Sequence, residues 1–293
     1  MSLDIAGLRA FLAVAQHESF SAAAAELHLT QPAVSKRVAA LEAAMKVRLF
    51  DRIGHRVLLT EAGEALLPRA RRILLDIEDS QRAIANLSGR VEGRLYLGTS
   101  HHIGLHRLPP VLREFIDHYP EVRLELRFLD SEAVCAAVVS GELELGVVTL
   151  PVEPPPALAL EPVWDDPLSV VVGRDHPLTG RDRVDMARLA ATPAILPGPE
   201  TFTRQIIESG FARRGLRIEA ELSTNYLETI KMLVAVGLGW SLLPDSMLDN
   251  QLSALTVPGL APHRRLGIIH HRERTLSNAA RAMRAAVSRH RDP

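Results

Sequence analysis

Residues 20–41, FSAAAAELHLTQPAVSKRVAAL, decide how the rest of this chain is read. They divide into two short helices about a tight corner. Ser21 is placed to cap an alanine-rich helix that runs to about Leu27, with Phe20 before it stapling the entry. His28 and Leu29 break the pattern. Thr30 is placed to cap a second helix with Pro32 in its first turn, where the missing N–H is harmless, and Val34, Val38 and Leu41 follow at helical spacing. The small Ala23, Ala24 and Ala25 let the helices cross closely. With the apolar positions inward, Gln31, Ser35, Lys36 and Arg37 face outward. Gln pairs with adenine edges, Ser with a base or phosphate, and Lys or Arg with guanine or phosphate, which is what the second helix of a helix-turn-helix presents to the major groove. An ordinary solvated helix pair has the same composition, so these residues alone leave both readings open.

The flanking sequence extends the pattern. Residues 4–17 place Leu8, Phe11, Leu12 and Ala15 on one apolar face, predicting a helix beneath the pair. After Glu42, KVRLFDRIGHRVLLT alternates as two short strands about Ile53, Gly54 and His55, a wing whose tip carries Arg52, His55 and Arg56. Arg52 and Arg56 are the candidates there for backbone or minor-groove contact. Residues 1–90 hold 12 Lys+Arg against 10 Asp+Glu, and six of those bases but only two acids lie between Thr30 and Thr60, a local basic patch of the kind phosphate contact requires. Thr60 caps a long helix predicted to reach about Ser88, where Gly89 ends it. Its apolar positions Leu66, Ala70, Ile73, Ile77, Ser80, Ile84 and Leu87 step by four and three, a heptad seam that predicts a partner helix. Packing against the wing could cover only part of that seam.

The stretch 18–74, ESFSAAAAELHLTQPAVSKRVAALEAAMKVRLFDRIGHRVLLTEAGEALLPRARRIL, resembles the N-terminal region of LysR-type transcriptional regulators nearly continuously. It departs from the commonest pattern at Lys36, where an arginine is more usual. The resemblance implies a winged helix-turn-helix domain over 1–59 and a dimerisation linker helix over 60–89. A two-lobed, periplasmic-binding-protein-like (type 2) α/β effector domain over 90–293 would follow. It adds Ser21 and Pro32 to the DNA-facing set and implies double-stranded DNA with an inverted-repeat operator as partner. Self-association follows too, as a homodimer through Leu66, Ala70, Ile73, Ile77, Ile84 and Leu87, or as the homotetramer common in the family.

From Arg90 onward strands alternate with helices, the order of a parallel sheet with right-handed crossovers. RLYLGTS, VRLELRFLD and LELGVVT read as strands separated by the helices RLPPVLREFIDHYP and SEAVCAAVVSG. A proline-rich passage, PVEPPPALALEP, then carries the chain to a second α/β set that begins with LSVVVGR. The strand RLGIIHHR and a closing helix return, giving lobe I as about 90–160 and 266–293 and lobe II as about 161–265. Ligands of open α/β sheets bind beyond the carboxyl ends of the strands, among helix N-termini. Thr99, Ser100, His101, His102, Thr149, Thr201, Thr203, Thr224 and Asn225 land there, a set suited to a small anionic effector. The hydroxyls weakly resemble the family's sulfur-assimilation branch, but His102 and Ile103 stand where hydroxyl and amide groups are expected there. Any one of these hydroxyls could equally be a helix cap.

Other chemistry finds little support. Cys135, the single cysteine, lies in an apolar helical run and reads as a small buried hydrophobe, against a two-cysteine peroxide sensor. There is no GxSxG elbow, Walker loop or GxGxxG after a strand, so no enzyme is expected. His102 and His106 have i, i+4 spacing and His270 and His271 return to the same lobe, but without companion cysteines or an HExxH context no metal and no cofactor is assigned. No apolar run is long enough to span a membrane and no signal segment is visible, so a cytoplasmic protein is expected. A ligand-binding receptor without DNA readout is the alternative class.

Overall fold

The computed structural model describes residues 4–53, 56–181 and 183–292, which form two compact units, 1–88 and 89–293. In the first unit α1 (Ile5–His17) starts at Asp4, whose carboxylate accepts the Ala6 N–H at 3.2 Å, and it buries Leu8, Ala10, Phe11 and Val14. Helix α2 (Phe20–Glu26) begins two residues earlier than the sequence suggested. Ser19, not Ser21, is its cap, with Oγ accepting the Ala22 N–H at 3.3 Å. Phe20 is therefore inside the helix, packed edge-on against Phe50 with ring centroids 5.8 Å apart. Ala23 and Ala24 are buried at the crossing, while Ala25 faces out. Helix α3 (Gln31–Met45) then buries Val34, Val38 and Leu41 in the same core. Thr30 has the extended backbone of a cap, but its hydroxyl makes no capping bond.

The wing is the antiparallel pair β1 (Phe50–Ile53) and β2 (Arg56–Leu59). It is fastened to α3 by Glu42, whose Oε1 accepts the Leu49 N–H at 2.7 Å and the Phe50 N–H at 3.3 Å. Thr60 caps the long α4 (Glu61–Ala85): Oγ1 accepts the Gly63 N–H at 3.1 Å and donates to the Arg48 carbonyl at 2.7 Å. The helix continues through Pro68, and one 3₁₀ turn over Asn86–Ser88 precedes Gly89, whose φ is 67°. The expected seam is corrected at its start. Leu66 and Ala70 are buried in the core of their own unit with α1–α3 and the wing, so neither faces a partner helix. Ile73 and Ile77 are half-buried, whereas Ile84 and Leu87 are 71% and 85% exposed.

In the second unit β3 (Gly93–Thr99) leads to α5 (His101–His106) and α6 (Leu108–His118), then to β4 (Val122–Phe128), α7 (Ser131–Ser140) and β5 (Leu145–Thr149). Parallel pairing of β3 with both β4 and β5 is the crossover sheet expected. The next strand is longer than expected: β6 (Leu158–Gly173) spans 16 residues, starting within the proline-rich passage and running through Pro162 and Pro167 into the expected strand LSVVVGR. After it come α8 (Met186–Ala190), β7 (Ala194–Leu196), α9 (Phe202–Ala212), β8 (Ala220–Ser223), α10 (Leu227–Ala235), β9 (Ser241–Pro244), β10 (Leu252–Leu255), β11 (His263–His271) and α11 (Asn278–Arg289). The main sheet has the order β10-β6-β11-β5-β3-β4, with β9 also on β6, while β7 and β8 pair separately in parallel.

β6 and β11 pair antiparallel from His263↔Pro167 to His271↔Leu158, so two strands carry the chain between the lobes. Their register shifts between Leu266 and Gly267, where a Cβ on Gly267 would lie 2.2 Å from the Glu161 carbonyl oxygen. Such a bulge is where prolines are tolerated inside a sheet. One apolar core gathers Val163 and Trp164 with β3, β5, α6 and α11, and another gathers Leu168 and Val170 with β7, α9 and Trp240.

The weld between wing and long helix depends on Gly63, since a Cβ there would meet the Leu49 carbonyl oxygen at 2.2 Å. Gly63→Ala should destabilise the first unit by about 1–3 kcal/mol, the usual cost of forcing backbone apart in a packed core. Urea unfolding followed by exchange of amides in each unit checks this: amides of residues 5–70 should lose protection while those of the second unit keep theirs.

Candidate functional site

The first unit presents the DNA-reading candidates at the start of α3. Gln31, Pro32 and Lys36 are exposed, and Ser35 and Arg37 half-buried. Gln31 Nε2 donates to Ser35 Oγ at 2.9 Å, an i, i+4 bond that holds both side chains on one face. Ser21 is exposed on the first turn of α2. Arg52 and Arg56 belong to the wing strands, but their side chains, like the whole of Gly54 and His55, lie outside the described residues. The unit thus offers a helix start with amide, hydroxyl and ammonium groups side by side, which can address base edges and phosphates together.

The second unit contains a cleft of about 350 Å³ between its lobes. Of the effector candidates, Ser100, His101, His102, Thr149, Thr201, Thr203 and Asn225 line it. Thr99 and Thr224 do not. Thr99 is fully buried and donates Oγ1 to the Val147 carbonyl at 2.8 Å, locking β3 to β5, while Thr224 accepts the Tyr226 N–H at 3.5 Å. Thr201 lines the cleft yet also caps α9, accepting the Arg204 N–H at 3.2 Å. Asn225 joins three segments: Oδ1 accepts the Gly198 N–H at 2.8 Å, and Nδ2 donates to Asp130 at 2.8 Å and to Glu200 at 3.1 Å.

Several lining residues were not anticipated from sequence. Arg264, on β11, is 3% exposed; its Nε donates to Asp166 at 2.9 Å and its Nη1 to Thr203 Oγ1 at 3.3 Å. Glu132, on α7, reaches across the cleft to accept the Phe202 N–H in the first turn of α9, and burial raises its pKa. Tyr226 and Phe128 flank His101, with ring centroids 5.4 and 6.0 Å from the imidazole. Their signal in the sequence was weak, because nothing near Arg264 or Glu132 marks the far wall that each faces.

His102 and His106 do share one face, because α5 begins at His101 despite Pro109. Glu228, in the first turn of α10, completes the group: its Oε1 lies 3.1 Å from His106 Nε2 and 3.7 Å from His102 Nδ1. His270 and His271 stay on β11, where His270 Nδ1 pairs with the neighbouring His271 carbonyl at 3.1 Å. Cys135 is buried and its thiol is pushed up to about 12, so it is inert as a nucleophile at neutral pH.

The comparisons with known proteins agree with this geometry. Residues 5–64 match the family described as "Bacterial regulatory helix-turn-helix protein, lysR family", and residues 88–292 match "LysR substrate binding domain". The chain belongs to the LysR family of transcriptional regulators. It is 31% identical over 292 residues to the RuBisCO operon transcriptional regulator of Allochromatium vinosum, covering 98% of this chain and 96% of the relative. Over 108 residues it is 68% identical to an uncharacterized HTH-type transcriptional regulator in the ibpB-leuC intergenic region of Azotobacter vinelandii, covering 37% of this chain and 75% of that one. A full-length OxyR variant from Pseudomonas aeruginosa has the same fold, with a TM-score of 0.73 and 24% identity over 98% of this chain and 95% of that one. The protein is thus a DNA-binding regulator with a ligand-binding domain, not an enzyme. No helix among the described residues is long and apolar enough to cross a membrane.

Burial, with Arg264 and His106 adding to it, holds the His102 imidazole down to about 3 against the opposing pull of Glu228. In the unfolded chain the same group binds its proton near 6.5. Between these values only the unfolded state is protonated, so the folded state loses stability as the pH falls through that window. Urea unfolding at pH 7 and pH 5 should therefore show a loss about 2 kcal/mol larger in the native protein than in His102→Gln. Equal losses would mean that the histidine is protonated in the folded state.

Proposed function

We propose that the first unit reads an inverted-repeat operator as a homodimer and that a small anionic effector in the cleft controls this reading. In that organisation residues 1–59 form the DNA-reading domain, 60–89 the linker helix and 90–293 the effector domain. Ile73, partly packed on the unit's own core, the half-buried Ile77 and the exposed Ile84 continue at heptad spacing on α4, and the exposed Leu87 follows in the 3₁₀ turn, a stripe whose far end water would otherwise cover. We assign the pairing of two copies to these four residues, and the tetramer to a further association through the second unit.

The observation that carries the anionic reading is the bond between Glu132 and the Phe202 N–H. The start of α9 already receives a carboxylate from the opposite lobe, and the helix dipole favours a negative charge there. An effector carboxylate can take the place of Glu132, with Ser100, Thr149, Thr203 and Arg264 around it. It shifts the lobes only so far as it binds one arrangement better than the other.

The DNA assignment is tested by selecting genomic fragments with the full-length protein at fixed, near-physiological salt, because phosphate binding alone would otherwise imitate specificity. Enriched fragments should footprint as two related half-sites. Exchanging both Gln31 and Lys36 for Ala should lower affinity for the selected site by about 30-fold or more, at 1–3 kcal/mol per base contact, while leaving thermal stability unchanged. Undiminished affinity would remove α3 from base reading. For the cleft, thermal-shift screening should find stabilisation by a small carboxylate or inorganic anion and none by the matching neutral amide or alcohol. Stabilisation by neutral compounds alone would refute the anionic assignment.

A further inference from the structure

We propose that His102, His106 and Glu228 form a binding site for a divalent transition-metal ion that bridges the two lobes. His102 and His106 stand one turn apart on α5 of one lobe, their rings 4.6 Å apart, and Glu228 comes from α10 of the other. One donor atom from each residue lies within 4.8 Å of the other two. The carboxylate oxygen is 3.1 Å from one imidazole nitrogen and 3.7 Å from the other. With metal–nitrogen and metal–oxygen bonds near 2.0–2.2 Å, a tetrahedral ion needs its donors about 3.3–3.5 Å apart, so small rotations of these side chains suffice.

A second observation points the same way. The His102 side chain is 5% exposed, and neither of its ring nitrogens has a hydrogen-bond partner among the described residues; Oε2 of Glu228 is buried without one as well. Buried polar atoms left in this state are rare, because each forfeits its bond to water. A metal ion accounts for one nitrogen of the imidazole and for the carboxylate at once. It takes a lone pair from a neutral imidazole and neutralises the carboxylate, where a protein hydrogen bond would serve only one of them.

The donor set selects the ion. Two imidazoles and a carboxylate suit zinc, nickel, cobalt or copper(II) better than magnesium or calcium, which prefer oxygen alone. Three protein donors leave at least one position for water or another ligand. His102 also lines the cleft, which gives an ion a route in and an effector a route to it. The bridge would hold α5 and α10 together, so metal binding and effector binding would draw on the same movement of the lobes.

The test uses full-length protein freed of metal with a chelator. Titration with Co²⁺, read by its visible absorption, and Zn²⁺ affinity from chelator competition should both give one ion per chain. His106→Ala and Glu228→Gln, checked for folding by their melting curves, should each lower Zn²⁺ affinity at least tenfold. His106 is 41% exposed, which makes its replacement tolerable to the fold where that of His102 need not be. A protein that does not saturate at one ion per chain overturns the site. Affinity that falls less than tenfold in either variant also overturns it, since the ion would then be adventitious or held by one lobe alone. Neither readout involves DNA, so the result stands apart from the regulator assignment.

Discussion

The second unit depends on a buried ion pair at the place where its two lobes are joined. Asp166 and Arg264 face each other across the β6–β11 pair as register partners, and they are 1% and 3% exposed. The guanidinium donates Nε to Asp166 and Nη1 to Thr203, while Arg107, 25% exposed, approaches the other carboxylate oxygen at 3.6 Å. Arg107 in turn lies over the Trp164 ring at 5.9 Å. Removing one member of such a pair costs about 3–5 kcal/mol, because the remaining charge is stranded away from water. A register slip of one residue in either strand would turn that strand's charge to the opposite face, separate the pair and have the same effect. The pair therefore fixes how the strands cross, and with them the cleft whose wall Arg264 forms.

That crossing also explains why the cleft walls touch through polar groups. The apolar side chains near the strands belong to one lobe core or the other, Val163 and Trp164 to the first and Leu168 and Val170 to the second. Among the contacts between the walls are the polar bridges of Glu132 with Phe202, Asp130 with Asn225 and Glu228 with His106, beside the ring contact of His101 with Tyr226 and the packing of Phe202 against the core under α7. Polar contacts of this kind can be exchanged for contacts to a ligand or to water at little net change, which packed apolar surface cannot. The lobes are thus joined firmly at two strands and, across the cleft, partly by polar bridges that a ligand can replace, the arrangement a ligand-dependent movement requires.

What the sequence made legible follows from how local each signal is. The helix pair of the first unit is written in caps and apolar spacing over 22 residues, and only the cap moved, from Ser21 to Ser19. Only the second half of β6 was legible, because Pro162 and Pro167 argue against a strand unless it bulges, and the bulge, with Val163 as the extra residue between Pro162 and Trp164, is defined only by pairing with β11, about 100 residues away. Leu66 and Ala70 fit a heptad as well as a domain core, since both place apolar residues three and four apart. In the cleft the hydroxyls were readable from strand ends, but Arg264 and Glu228 were not. Their meaning comes from partners 98 and 122 residues away, Asp166 and His106.

The two units use charge in opposite ways, and this separates their tasks. In the second, buried cations are matched within the chain: Arg264 with Asp166, and Arg204 with Glu208 at 2.7 Å and the Pro197 carbonyl at 3.1 Å. Those charges are already spoken for, and they serve geometry. In the first, among the described residues, no ion pair engages Lys36 or Arg37, although Glu42 stands on the same helix and is turned to the wing backbone. A cation kept near the surface without a partner adds nothing to folding, but it loses little on meeting a phosphate, and counterion release then favours the contact. Glu42 could have offset part of the basic patch from within the unit. Its use as an acceptor for Leu49 and Phe50 instead leaves the field of α3 positive and makes the same carboxylate position the wing beside it.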